Sequence, residues 1–183
     1  MNTTNTESIS SSAQKIILGG GCFWCLDPVF KKIPGVTSVT VGYAGGDTKN
    51  PKYGEVCSGT TGHAEVLEIS FDSEITSLEH ILKVFFLAHD PTTLNQQGAD
   101  RGTQYRSIIL YENNDQMITA NQVIDSLNQT GAWPNNIVTE VVPLEKFYSA
   151  EDYHQDYFNK NPEQSYCQLV IAPKLEKLKG IIN

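Results

Sequence analysis

Basic residues are in short supply: 13 Lys and Arg stand against 21 Asp and Glu, giving a net charge of −8 and a pI near 4.9. That deficit argues against a nucleic-acid footprint and against an anionic membrane as partner. Long apolar runs are missing too, and the best candidates break far short of a membrane span. The opening stretch, Met1 to Ser12, is rich in Ser, Thr and Asn and carries neither the basic nor the apolar block of a secretory signal. A soluble, cytoplasmic protein is the expectation. Cysteine is sparse, with four residues; in that compartment they are reduced, catalytic or metal-bound more often than structural bridges. There is no second C-x-x-C and no H-x₃-H, which leaves a zinc site short of ligands. Repeats and domain-splitting linkers are also lacking. The 183 residues therefore read as a disordered polar tail over 1–13 and one domain over 14–183.

What the chain does have is Gly19-Gly20-Gly21-Cys22-Phe23-Trp24-Cys25. The glycines allow a tight turn and close backbone approach. Residues 15–18 before them read as a short buried strand, and Leu26, Val29, Phe30 and Ile33 after them recur at helical spacing. Cys22 then falls at or near the first turn of a helix, where unpaired N–H groups and the helix dipole favour a thiolate. Three readings of the Cys22–Cys25 pair remain open at this point: a redox couple, half of a metal site, or inert packing.

Val39, Val41 and Tyr43 alternate as a second strand, followed by a long polar connection over 44–62 carrying Tyr53, Glu55 and Cys57. Residues 63–71 read as a strand on which Glu65 shares a face with Leu67, Ile69 and Phe71. A carboxyl on the core side is paired or has a raised pKa; at a frayed strand end it would instead reach water. Thr76-Ser77-Leu78-Glu79 spaces a capping box before a helix with Leu78, Ile81, Leu82, Phe85 and Phe86 on one stripe. A polar loop over 92–102 holds Asp100 and Arg101. A strand over 105–111, a helix over 115–127, a strand over 137–142, a helix over 150–160 capped by Ser149, and a strand-like run over 166–171 complete the reading. The order β-α-β-β-α-β-α-β-α points to an α+β two-layer sandwich with a mixed β-sheet, packed helices and a ferredoxin-like core. Taken singly, Tyr53 and Tyr105 are ordinary half-buried tyrosines with a hydroxyl to donate. Asp100 caps a loop, His154 is a solvated or half-buried helix residue, and Cys57 and Cys167 are packing thiols.

Taken together, certain runs resemble the A-type peptide methionine sulfoxide reductases. They are Gly21-Cys22-Phe23-Trp24, the stretch from Tyr53-Gly54-Glu55-Val56-Cys57 through Gly62-His63-Ala64-Glu65, Asp100-Arg101-Gly102-Thr103-Gln104-Tyr105-Arg106-Ser107, and Ala150-Glu151-Asp152-Tyr153-His154-Gln155. The resemblance spans nearly all of the chain. It implies a reductase domain for methionine S-sulfoxide, free or in oxidised proteins under repair, recycled by thioredoxin or another dithiol and needing no other cofactor and no metal. It implies Cys22 as nucleophile, Glu65 as the acid on the sulfoxide oxygen, Tyr53 and Tyr105 as hydroxyl donors, and Asp100 as supporting carboxylate. Phe23 and Trp24 become the pocket for the substrate methyl, with His154 behind it. Cys25 stands where commoner members carry Gly, so a Cys22–Cys25 disulfide is the implied intermediate, with Cys167 as the alternative resolving thiol. Nothing in this calls for more than a monomer. C-x-x-C at a strand–helix turn by itself also fits a thioredoxin-like disulfide oxidoreductase, and Cys22, Cys25 and Cys57 a metal-binding module.

Overall fold

Strand-period and helix-period apolar spacings resolve, in a computed structural model describing residues 12–182, into one six-stranded sheet with helices on one face. Most of the tail expected over 1–13 lies outside the described residues; Ala13 already belongs to the first strand. In order the elements are β1 (Ala13–Gly19), α1 (Phe23–Phe30), β2 (Val36–Ala44), α2 (Tyr53–Cys57), β3 (Ala64–Asp72) and α3 (Leu78–Ala88). Two short strands follow, β4 (Gln96–Gln97) and β5 (Asp100–Arg101), then β6 (Ile108–Tyr111), α4 (Asn114–Thr130), β7 (Glu140–Pro143) and β8 (Phe147–Ser149). The chain closes with α5 (Tyr157–Lys160) and α6 (Ala172–Ile182).

The sheet order is β7-β6-β1-β3-β2-β8. Its inner four strands, β6-β1-β3-β2, pair antiparallel in the ferredoxin-like order, and β7 joins β6 in parallel, so the sheet is mixed. The α+β two-layer expectation holds. Strand alternation divides the sheet's side chains. Ile16, Leu18, Val41, Leu67 and Ile69 join α1, α3, α4 and α6 in the larger core, while Ile17, Ala44, Ala64, Val66, Ile108 and Leu110 form a small cluster on the other face. Full burial of each such Leu, Ile or Phe contributes about 1.5–3 kcal/mol.

Each of the three glycines has an identifiable reason, and for Gly19 it is the Glu65 backbone oxygen, which a Cβ would approach to 2.8 Å. Gly21 sits at φ +93°, and a Cβ on Gly20 would come within 2.9 Å of the His89 ring. His89, pushed down to about 4 by burial, is neutral and spans Phe85 O and Ser107 Oγ at 2.6 and 2.7 Å. The C-terminal end of α3 is thereby fastened beneath the turn that presents Cys22.

Several boundaries differ from the periodic reading. Ser77, not Thr76, caps α3, accepting from His80 N–H at 3.1 Å. The connection over 44–62 contains the short helix α2. The strand expected from Tyr105 begins only at Ile108, because residues 103–105 form a 3₁₀ turn. The strand expected over 137–142 starts at Glu140. The helix expected over 150–160 is broken: residues 152–154 are a 3₁₀ turn, Asp156 adopts φ +57°, and only Tyr157–Lys160 is α-helical. The preceding residues 147–149 make the edge strand β8 instead of a cap. The run over 166–171, strand-like by composition, is a wide helical turn leading into α6. Among the described residues, no helix is long and apolar enough to cross a membrane.

Gln155 continues the sheet where β8 stops. Its side chain accepts from Val41 N–H at 3.0 Å and donates to Val41 O and Ala150 O at 2.9 and 3.1 Å, imitating a ladder rung. Gln155→Ala therefore strands a backbone amide, and we expect a loss of about 1–3 kcal/mol in denaturant unfolding. The segment around His154 should also show faster amide exchange.

Candidate active site

Cys22 is the N-cap residue of α1, with extended backbone and its carbonyl accepting from Cys25 N–H at 3.1 Å. The first free N–H of the helix, that of Phe23, donates to Glu65 Oε1 at 3.2 Å. The next, that of Trp24, turns toward the Cys22 sulfur and favours its charge. Glu65 comes from the start of β3, on the face shared with Leu67 and Ile69, and is 2 % exposed. It is the buried alternative of the two open for this carboxyl. Burial pushes its pKa up to about 8, against the pull of the Phe23 N–H and with help from Asp100 and Cys25. Glu65 thus holds its proton at neutral pH.

The thiols behave differently from the simple helix-dipole expectation. Cys22 and Cys25 face each other closely enough to share a hydrogen bond. Cys25 is brought down to about 7, mainly by Cys22, with the Lys174 charge and the Tyr166 hydroxyl adding against burial. Cys22 is held well up, by its bond to Cys25 and by burial, and further by Glu65 once that carboxyl ionises. One proton leaves the pair near neutrality, and the resulting charge rests toward Cys25. The dipole effect on Cys22 is present but is overridden by its neighbour.

Tyr53, at the start of α2, and Tyr105, closing the 3₁₀ turn after β5, lie within electrostatic reach of Glu65; Tyr105 is also near Asp100 and Cys22. Burial raises both phenols, so they remain hydroxyl donors. Asp100, on β5, is itself raised by burial. Tyr53, Tyr105 and Asp100 thus gather around Glu65 from three separate elements, with Cys22 within reach of Glu65 and Tyr105.

Phe23 is 1 % exposed, packed on Tyr43 and His154 with ring centres at 5.9 and 5.1 Å. Trp24 is half-buried, stacked on Tyr157 at 3.8 Å, and donates from Nε1 to His154 Nδ1 at 3.0 Å. His154 is fully enclosed rather than solvated, and burial lowers its pKa, leaving a neutral imidazole able to accept that bond. It stands behind Trp24 instead of opening into the cleft. Cys167 is buried, as expected of a packing thiol, whereas Cys57 is half-buried and bonds with the Tyr53 hydroxyl.

Two residues escaped the sequence reading. Glu151 accepts from Tyr43 Oη and from Tyr53 N–H, both at 3.1 Å. Burial opposes its charge, but these bonds keep its carboxyl below the ordinary range and anchor the start of α2. Tyr166 Oη lies 3.0 Å from Cys25 Sγ and edge-on to Trp24. Glu151 lies in a run already singled out; Tyr166 had no sequence signal beyond its neighbour Cys167. Among the described residues, no three His, Cys, Asp or Glu side chains gather as a metal requires.

Two apposed thiols at a helix start, opposite a carboxyl that keeps its proton, define a thiol oxidoreductase site. The family model for peptide methionine sulfoxide reductase matches residues 14–182. Peptide methionine sulfoxide reductase MsrA of Trichodesmium erythraeum is 57% identical over 164 residues, 90% of this chain and 93% of that protein. Methionine sulfoxide reductase A of Corynebacterium diphtheriae superposes with a TM-score of 0.80 at 36% identity, covering 84% of this chain and 77% of that one. Mxr1 from Saccharomyces cerevisiae in reduced form gives 0.79 at 35% identity over 85% and 89%. In complex with Trx2, the same yeast protein gives 0.57 at 25% identity over 79% and 84%. The chain belongs to the peptide methionine sulfoxide reductase family. The thioredoxin-like and metal-module readings of its C-x-x-C give way to that membership.

The raised Glu65 pKa has a stability consequence. Its proton is favoured by folding, so stability is full below about pH 4.5 and is lost as pH rises through about 8. Replacing the carboxyl by an amide removes this dependence. In urea titrations Glu65→Gln should gain on the wild type by up to about 5 kcal/mol as the pH is taken from 4 to 9.

Proposed function

We propose that the protein reduces methionine S-sulfoxide, free or within oxidised proteins, through a Cys22–Cys25 disulfide recycled by thioredoxin or another dithiol. The observation that carries this reading is the buried Glu65 carboxyl, protonated at neutral pH, beside Cys22. A sulfoxide oxygen leaves poorly until it takes a proton, and a carboxyl with its pKa near the working pH is suited to give one.

Cys25, carrying the pair's charge, takes the Cys22 proton across their shared hydrogen bond. The Cys22 thiolate attacks the sulfoxide sulfur, and Glu65 protonates the oxygen while the Tyr53 and Tyr105 hydroxyls hold it. The protonated oxygen passes as hydroxyl from the methionine sulfur to Cys22 Sγ while the bond between the two sulfurs breaks; methionine departs with that electron pair, and Cys22 is left as a sulfenic acid. Asp100 supports Tyr105 from the adjoining β5. Cys25 then attacks the Cys22 sulfur and releases water, leaving the disulfide; Cys167, the residue after Tyr166, is the alternative resolving thiol. Phe23 and Trp24 are the walls for the substrate methyl, since apolar rings suit a methyl beside a polarisable sulfur, with His154 fixing the Trp24 plane. Thioredoxin as reductant is supported by the yeast relative's complex with Trx2.

Cys22→Ser should form no methionine. Glu65→Gln should slow single-turnover methionine release about 10²-fold while substrate still binds; an unchanged rate at neutral pH would remove its acid role. In the wild type, the rate should rise as pH passes about 7, where the cysteine pair loses its proton, and fall beyond about 8, where Glu65 loses its own. Disulfide mapping after one equivalent of substrate should return Cys22–Cys25; a Cys22–Cys167 bridge would reassign the resolving thiol.

A further inference from the structure

Two sulfurs of the disulfide are formally open to a reductant, and their surroundings are unequal. Cys25 is 6 % exposed, while Cys22 is half-buried at the helix start. The Tyr166 hydroxyl lies against Cys25 Sγ at 3.0 Å, where an incoming sulfur would have to displace it. Lys174, at the start of α6, lines the same cleft of about 200 Å³ with Tyr166, Cys22 and Cys25. On the other side Cys22 faces Glu65, whose conjugate base would penalise a thiolate left on Cys22. A disulfide sulfur is expelled most easily where its thiolate is stabilised, and attack falls on its partner.

We propose that the reductant attacks Cys22 and expels Cys25, whose departing thiolate is received by the Tyr166 hydroxyl and faced by Lys174. The step rests on the disulfide of the preceding section. The reductant's thiolate forms a bond to Cys22 Sγ, the Cys22–Cys25 bond breaks, and its electron pair passes to Cys25 Sγ. The reductant's second thiolate then attacks its own sulfur in the mixed disulfide and releases Cys22 as a thiolate, which takes up a proton. The dithiol leaves oxidised by two electrons and the pair is restored. Tyr166 and Lys174 are positioning residues in this step: neither touches sulfoxide or reductant. The lowered Cys25 pKa, to which both contribute, agrees with this assignment. One sulfur thus carries both adducts of the cycle, first the oxygen and then the reductant.

The test begins with the full chain oxidised by diamide and mixed with a thioredoxin whose second cysteine is serine, so that the mixed disulfide accumulates. Peptide mapping should find it on Cys22, with Cys25 free to alkylate; an adduct on Cys25 or Cys167 overturns the proposal. Tyr166→Phe, mixed with reductant after its disulfide has been closed by diamide, should be reduced roughly three- to tenfold more slowly than the wild type. It should also move the pH midpoint of Cys25 alkylation upward by about one pH unit, which a merely structural role would not do. Lys174→Gln should move it in the same direction and Lys174→Arg should not; an unmoved midpoint in both Tyr166→Phe and Lys174→Gln overturns their role. If diamide closes the pair and methionine sulfoxide does not, the proposed function fails while the site of attack stands. If neither closes it, this proposal fails with it.

Discussion

Everything around the reactive cysteine depends on one contact: the Phe23 amide donating to the Glu65 carboxyl at 3.2 Å. It joins the first turn of α1 to the edge of β3 and fixes how the helix start meets the sheet. The same contact is too weak to overcome burial, so the carboxyl stays protonated. A stronger set of donors would have made Glu65 an ordinary anion and left the site without an acid. The helix end therefore serves as a locator more than as a charge stabiliser, and the thiolate it might have stabilised rests on Cys25 instead.

A second layer of contacts keeps the donors in place. Glu151 holds the first amide of α2 and the Tyr43 hydroxyl, and thereby places Tyr53. His154 receives the Trp24 indole within a cluster of rings that includes Phe23, Tyr53 and Tyr153. Gln155, the next residue, is tied to β2 through three hydrogen bonds. Positions 151, 154 and 155 of one irregular segment thus reach the start of α2, the aromatic cluster and the sheet. A regular helix there could not have aimed these side chains so differently, which is a physical reason for the break at Asp156.

Much of this was legible in the chain. The parity of β3 put Glu65 among Leu67, Ile69 and Phe71, and the structure places it on that face, buried. The glycine run and the helical spacing after it located Cys22 at a helix start. Fold class followed from element order: the connection after β2 read as a loop, and although it holds the short helix α2, β2 and β3 still pair antiparallel, which excludes a purely parallel sheet. What remained hidden was set by long-range contact. The ionisation of Cys22 could not be read from its place on the helix, since its hydrogen bond to Cys25 and its burial decide it. Residues 166–171 have an apolar, β-branched composition, yet they pack as a helical turn because the adjoining α6 continues them. Tyr166 carries no local mark; only the approach of the last helix to the first brings its hydroxyl to Cys25.

That approach spans an unusual separation along the chain, since Tyr166 and Cys25 lie 141 positions apart. Glu65 and the groups within its electrostatic reach, Tyr53, Asp100 and Tyr105, belong to the middle of the chain. Those that adjust the second sulfur, Tyr166 and Lys174, come from its last stretch. The surroundings of the Glu65 carboxyl and of the Cys25 sulfur are therefore written in different parts of the polypeptide. Substitutions in the last stretch can shift the balance of charge between the two thiols without altering any residue that packs around the buried carboxyl.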